Sequence, residues 1–172
     1  KRIKEYIAGQ GIVQKRTMLE VAIASSIEEL ADQNWVYALN EAVIGRGQVA
    51  RLTFVEAYID GNLLANYAAD SVIVATATGS TGYALSAGGP VLYPESKSFI
   101  LKPVAPQLAT DAAVVLHPGC QIDLNVRPDE DAVVTLDGFN DIKVPIGSFV
   151  RIRESATNAL FLKSRSSHQF AP

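Results

Sequence analysis

Thr78-Gly79-Ser80-Thr81 puts three hydroxyls and a glycine into four consecutive positions, followed at once by Gly82 and Tyr83. Glycine leaves backbone amides sterically open, and the hydroxyls add donors and acceptors at the same spot. Such a turn can satisfy ribose hydroxyls, a phosphate or an amide; its spacing is met equally by an ordinary turn. It is not a P-loop, because no Lys follows the glycine and hydroxyl pair, and it lacks the spaced glycines of the dinucleotide fingerprint. Asn40-Glu41 is a second group of interest, lying inside the apolar run from Val36 to Ile44. A polar group buried there without a partner costs about 1–3 kcal/mol, so either a ligand meets the pair or it sits on an exposed face or bulge. His117 reads as a turn residue without a visible partner, Cys120 as a small apolar filler, and Asp137 as a hairpin-turn residue.

The elements around these residues read as mostly β. Ser71 to Thr76 is a buried strand entered from Asp70. Ser80 to Ala87 suits a short helix with Thr78 or Ser80 as N-cap, stopped by Gly88-Gly89-Pro90. Strand, hydroxyl turn and helix N-terminus is a common build for anion sites. Ile12 to Ser26 alternates as a strand, Trp35 to Ile44 reads as another, and Arg46-Gly47-Gln48 turns the chain. Arg51–Ile59 and Leu63–Tyr67 flank Asp60-Gly61, a hairpin signal repeated at Asp137-Gly138. Between Tyr93 and Gln107, three prolines around Phe99–Leu101 predict an ordered loop with one edge strand. Runs at 112–116, 121–126, 149–153 and 160–163 bring the count to about ten short strands. The expected fold is mainly β, sandwich-like, with one or two short helices.

Composition narrows the function classes. The 172 residues are 48% hydrophobic, enough for one domain that buries roughly 70% of its unfolded surface. A net charge of −3 with scattered basic residues provides no field for nucleic acid or an anionic membrane. Arg46, Arg51, Arg127, Arg151 and Arg153 are expected mostly on solvated faces. One cysteine excludes an internal disulfide, and two distant histidines leave little for a zinc site. No run resembles a signal peptide or approaches the roughly 20 apolar residues that span a bilayer, so a cytoplasmic location is the expectation.

The segment from Asp70 to Pro90 resembles the signature of the NAD kinase family, in which an Asp-Gly and an apolar strand lead into Thr-Pro-Thr-Gly-Ser-Thr-Ala-Tyr and then Ser-Ala-Gly-Gly-Pro. Arg16-Thr17-Met18-Leu19-Glu20, Ala38-Leu39-Asn40-Glu41-Ala42 and Thr135-Leu136-Asp137-Gly138 follow the family's order. Here Ser71, Ala77 and Gly82 replace the family's usual Gly, Pro and Ala. Gly-Gly-Asp-Gly, the family motif for the ATP phosphates and the catalytic aspartate, is absent from the sequence. The resemblance implies the C-terminal domain of an ATP-dependent NAD kinase, of the NAD kinase and diacylglycerol kinase-like fold. Residues 1–10 would end a connecting segment from an N-terminal α/β half, 11–163 would form the NAD-binding domain, and 164–172 a tail.

The same resemblance implies that Asn40 and Glu41 reach adenine and ribose groups of NAD. Asp70 would contact the nicotinamide-ribose side, sometimes across a subunit interface, and Thr78, Thr81, Gly82, Tyr83 and Ser86 would line the pocket. It implies Mg²⁺ with ATP in the complete enzyme and no metal or catalytic residue in this part. It also implies a homo-oligomer, dimer or tetramer, and no turnover by this chain alone. A non-catalytic dinucleotide-sensing or oligomerisation module, or a lipid-kinase C-terminal domain, is the alternative.

Overall fold

The computed structural model describes residues 2–9, 11–31, 33–46, 52–107, 110–127 and 132–164. The predicted turn at Gly47-Gln48 and the tail beyond Ser164 lie outside them. Short helix α1 (Arg2–Ile7) precedes β1 (Gly11–Ala24), β2 (Val36–Ala38) and β3 (Glu41–Gly45). Then come β4 (Thr53–Ile59), β5 (Asn62–Ala69), β6 (Ser71–Ala75), α2 (Tyr83–Ser86) and β7 (Phe99–Val104). The rest is β8 (Val114–Leu116), β9 (Ile122–Val126), β10 (Ala132–Leu136), β11 (Asn140–Val144) and β12 (Phe149–Ser164). These strands form two six-stranded antiparallel sheets, ordered β2-β1-β12-β9-β4-β5 and β11-β10-β3-β6-β7-β8. The mainly β, sandwich-like expectation holds.

Side-chain alternation explains the sandwich. β9 and β10 both alternate between buried and half-buried residues, because one face of each strand meets the other sheet. Leu19, Val21, Ile122, Leu124 and Ile152 of one sheet share the core with Ile44, Val72, Val74, Phe99 and Leu136 of the other. β6 does not alternate; all five of its residues are buried. Its outward residues Ile73 and Ala75 lie under Ala84 of α2, so both faces of this strand are covered. β6 is therefore fixed from both sides, directly before the hydroxyl-rich turn.

Both Asp-Gly turns are present. Asp60 and Gly61 have φ of 50° and 78° in a two-residue loop between Ile59 and Asn62, the left-handed pair that matches strand twist. Asp137 and Gly138 have φ of 50° and 76° between Leu136 and Asn140.

Several predicted boundaries are corrected. The strand expected from Trp35 to Ile44 is two strands in different sheets, β2 and β3, joined across Leu39-Asn40. The strands expected at 149–153 and 160–163 are one, β12, paired with β1 over its length. Its polar middle forms a bulge, where register passes from Thr17↔Asn158 to Leu19↔Glu154 and Ser155 Oγ accepts the Thr157 N–H. Phe99–Leu101 is not an edge, since β8 covers it; the free edge begins at Lys102, which is where Pro103 is tolerated. Arg51 lies outside the described residues, and three of the other arginines are not simply solvated. Arg151 binds Asp123 through two bonds of 2.6 and 2.7 Å, Arg153 pairs with Glu20 and stacks 3.9 Å from the Trp35 ring, and Arg127 lies 4.0 Å over Phe54. Among the described residues no helix is long and apolar enough to cross a membrane.

Candidate functional site

The crossing from β2 to β3 is held by complete pairing of its backbone. Leu39 N–H donates to Asp137 Oδ2 at 2.8 Å, while the N–H groups of Asn40 and Glu41 donate to Asp137 Oδ1 at 2.6 and 3.2 Å. Asp137 N–H returns a bond of 3.0 Å to the Glu41 carbonyl. On the other side, the Leu39 carbonyl accepts the Thr76 hydroxyl at 2.7 Å and the Asn40 carbonyl accepts Thr76 N–H at 2.8 Å. Every N–H and C=O from 39 to 41 thus has a partner. A chain leaving one sheet for another loses its ladder bonds, and buried backbone groups must be paired elsewhere. Asp137 and Thr76 provide that pairing.

Thr76 also starts the turn. Its hydroxyl oxygen accepts Gly79 N–H at 3.1 Å, and its carbonyl accepts Ser80 N–H at 2.8 Å. Gly79 lies so close to the crossing that a Cβ on it would fall 2.1 Å from the Asn40 carbonyl oxygen and 2.5 Å from the carbonyl carbon. Only glycine permits that approach. Ser80 is fully buried, donating to the Ala77 carbonyl at 2.7 Å and accepting Leu92 N–H at 3.0 Å, so its hydroxyl is structural.

The predicted helix at 80–87 is a 3₁₀ turn over Gly79–Thr81 and the short α2, separated by Gly82. Thr78 makes no side-chain cap bond; the Thr76 hydroxyl meets the free Gly79 amide instead. The Gly-Gly stop is present, with Gly88 at φ 85° and Gly89 N–H donating to the Ala84 carbonyl at 2.8 Å.

This junction sets Asn40 and Glu41 against the 78–83 turn. Asn40 and Thr78 are half-buried, while Thr81, Gly82, Tyr83 and Ser86 are exposed along the 3₁₀ turn and α2. Glu41 is 9% exposed, and its Oε2 is buried without a hydrogen-bond partner. That oxygen lies under Gly82, 3.6 Å from where a Cβ on that glycine would stand. Burial, and then the charge of Asp137, push the Glu41 carboxyl above its ordinary value. A buried acceptor with nothing to accept, next to exposed hydroxyls and open backbone, is suited to a ligand hydroxyl or amino donor.

Asp70 is not part of this cluster. It is exposed just before Ser71, the opposite end of β6 from Thr76, roughly 20 Å along an extended strand. Its N–H donates to the Val104 carbonyl at 3.0 Å. Ser71, which stands where the resemblance expects Gly, is an ordinary strand residue paired with Gly45 and Val104 and outside the positive-φ set. The position demands no glycine.

His117 does have a partner. Nε2 lies 2.8 Å from Asp60 Oδ2 and Nδ1 lies 3.0 Å from the Pro118 carbonyl, so the residue ties the tip of the β4–β5 hairpin to the β8–β9 connection. Cys120 is buried in the core, and burial pushes its thiol up to about 11, which suits the expected filler. Sequence reasoning leaves Thr76 out of the site and reads Asp137 as a hairpin-turn residue, on an element that the family resemblance places near the substrate. Asp137 is 96 to 98 residues from the amides it binds, and no local spacing signals that. Shallow grooves of ≈ 340 and ≈ 290 Å³ around Glu56 and Arg127 lie on the β4–β9 face, away from this cluster.

Residues 39–164 match the family described as the ATP-NAD kinase C-terminal domain. The chain is 36% identical over 168 residues to an NAD kinase of Dehalococcoides mccartyi strain CBDB1, covering 98% of this chain and 58% of that protein. It is likewise 36% identical over 167 residues to an NAD kinase of Chloroflexus aggregans, covering 97% of this chain and 59% of that protein. The chain therefore spans about three-fifths of the curated relatives it matches. In fold it is similar to a yeast NADH kinase complexed with NADH, with a TM-score of 0.85 at 23% identity over 96% of this chain and 48% of that one. It is also similar to an Archaeoglobus fulgidus NAD kinase in complex with ATP, with a TM-score of 0.78 at 29% identity over 95% of this chain and 59% of that one. With the whole of the second sheet, four strands of the first, the 39–41 crossing and the hydroxyl turn inside residues 39–164, the chain belongs to the ATP-NAD kinase C-terminal domain family.

Proposed function

We propose that this chain is the acceptor side of an NAD kinase, holding NAD while the γ-phosphoryl group of ATP is transferred to the 2′-hydroxyl of its adenosine ribose. The observation that carries the reading is the buried, unpartnered Glu41 carboxylate beside Asn40 and under the exposed 81–83 backbone. Asn40 and Glu41 are assigned to the adenine and ribose donors. Thr78, Thr81, Gly82, Tyr83 and Ser86 are assigned to the walls of the NAD site. Asp70, at the far end of β6, is assigned to the nicotinamide-ribose side of a site in another copy, which makes a homo-oligomer part of the proposal.

In phosphoryl transfer the protein chiefly positions groups and stabilises charge. The ribose 2′-oxygen forms its bond to the γ-phosphorus as the bond to the β-bridging oxygen breaks, and ADP leaves. The hydroxyl proton passes to the aspartate that the family resemblance places in an N-terminal half. Residues 1–10 are proposed as the link to that half. Among the described residues, no group of three or more His, Cys, Asp or Glu is arranged to hold a metal ion. The Mg²⁺ that accompanies ATP is therefore assigned to no residue here.

Titration calorimetry with NAD, NADP, ATP and diacylglycerol vesicles tests the assignment. NAD should bind, and Asn40→Ala should weaken it by about tenfold, the loss of one or two hydrogen bonds. Binding of the vesicles without NAD would replace this reading with the lipid-kinase one. The purified 172-residue chain should make no NADP from ATP and NAD; measurable product would refute the division of labour between two halves.

A further inference from the structure

We infer that Asp137 is a positioning residue for NAD, aiming the Asn40 and Glu41 side chains by clamping the backbone that carries them. This rests on the acceptor reading above. One carboxylate gathers three consecutive amides, at 2.8, 2.6 and 3.2 Å, and its own N–H closes a return bond to Glu41. Hydrogen bonds to an ionised acceptor are about twice as strong as neutral ones. Thr76 holds the carbonyls of Leu39 and Asn40 from the opposite side. The backbone that carries Asn40 and Glu41, and with it their Cα–Cβ directions, then cannot swing without breaking a charged bond. For Glu41 that matters because its Oε2 is aimed under Gly82 with no protein group to keep it there. A ligand that meets a pre-aimed carboxylate avoids the entropy of ordering it.

Asp137 does this from a left-handed turn position at φ 50°. The chain here needs a residue that accepts positive φ and also carries an acceptor, and Asp meets both conditions. The two roles can be separated by substitution. Asp137→Gly keeps the turn geometry and removes the clamp. Asp137→Asn keeps the turn and one acceptor oxygen for the two amides that share Oδ1, but leaves the Leu39 N–H facing an NH2 donor.

The experiment measures NAD affinity by calorimetry and amide hydrogen exchange at residues 39–41, in wild type and both variants, with thermal melts as the folding control. The clamp predicts faster exchange at 39–41 in Asp137→Gly and NAD binding weakened by about tenfold or more. Asp137→Asn should recover part of both, falling between Asp137→Gly and wild type, while the melts of the two variants stay close. Unchanged exchange at 39–41 in Asp137→Gly overturns the clamp. Fast exchange with NAD affinity within about twofold of wild type overturns the positioning role. Failure of the wild-type chain itself to bind NAD overturns the acceptor reading, and the positioning role with it, whatever the exchange shows.

Discussion

Glu41 is the residue at which stability and binding are opposed. Its carboxyl is pushed above the ordinary value of 4.5 by burial and then by Asp137, so between 4.5 and the raised value the folded chain retains a proton that the unfolded chain has released. Stability without ligand should fall as pH rises from 4.5 through the raised value, because there the folded state binds more protons. Glu41→Gln should abolish that slope, stabilise the free protein at pH 7 by about 1 kcal/mol and weaken NAD binding. Melting curves from pH 4 to 8, with and without NAD, would read both effects; a variant less stable at every pH would contradict the account. His117 behaves in the same sense, and Asp60 in the opposite one. Its imidazolium is favoured by the Pro118 carbonyl and then by Asp60, so its pKa lies above the ordinary 6.5. The contribution it makes to the hairpin is present in full below pH 6.5 and is lost as pH rises through the raised value. Asp60, lowered mainly by the Gln121 amide and then by His117, keeps its own contribution above 3.8 and loses it as pH falls through the lowered value. An NMR titration of His117 should therefore show a midpoint above 6.5 that drops in Asp60→Asn.

Among the elements, the turn after β6 is held to β3 by contacts that tolerate little change. Gly79→Ala places a methyl 2.1 Å from the Asn40 carbonyl oxygen, and backbone on both sides leaves no side chain to yield. Urea denaturation should show a loss of about 3 kcal/mol, with NAD binding lost as the turn lifts from the crossing. Gly82→Ala is the control: its Cβ would sit 3.3 Å from the Gly79 carbonyl oxygen and 3.6 Å from Glu41 Oε2, and stability should change by no more than about 1 kcal/mol. Thr76→Val keeps the shape of the side chain but leaves the Gly79 amide and Leu39 carbonyl unmet, at a cost of about 2–3 kcal/mol. The turn's hydroxyl content was legible in the sequence, but the work of each hydroxyl was not. Thr76 and Ser80 are used up inside the fold, whereas Thr81 stays exposed.

In the whole molecule, protection is expected to be uneven. β6 is buried on both faces, while the ribbon of β1 and β12 beyond the bulge exposes Ile12, Val13, Leu160 and Leu162. Amide exchange should be slowest at Val72–Val74 and fastest along Gly11–Lys15, by several orders of magnitude, because opening the ribbon exposes little core. Equal protection in the two regions would mean that the ribbon is covered in solution. The two sheets share one core, so a core substitution such as Leu124→Ala should unfold both in a single transition, costing about 2–5 kcal/mol.

Period-two alternation, Asp-Gly turns and the ordered motifs by themselves determined the β class, both hairpins and the family, because each rests on local chemistry within a few residues. Burial on alternate positions, positive φ at a turn and a glycine stop are readable wherever they occur. The tertiary structure decided the rest. It split 35–44 between two sheets, fused the last two strands into one, and gave His117 its partner. It also brought Asp137 across 96 residues to the amides of 39–41. No spacing rule reaches that far, since such contacts are fixed by which backbone groups remain unpaired once the sheets have packed. The junction of Asn40, Glu41 and the hydroxyl turn is a property of that packing.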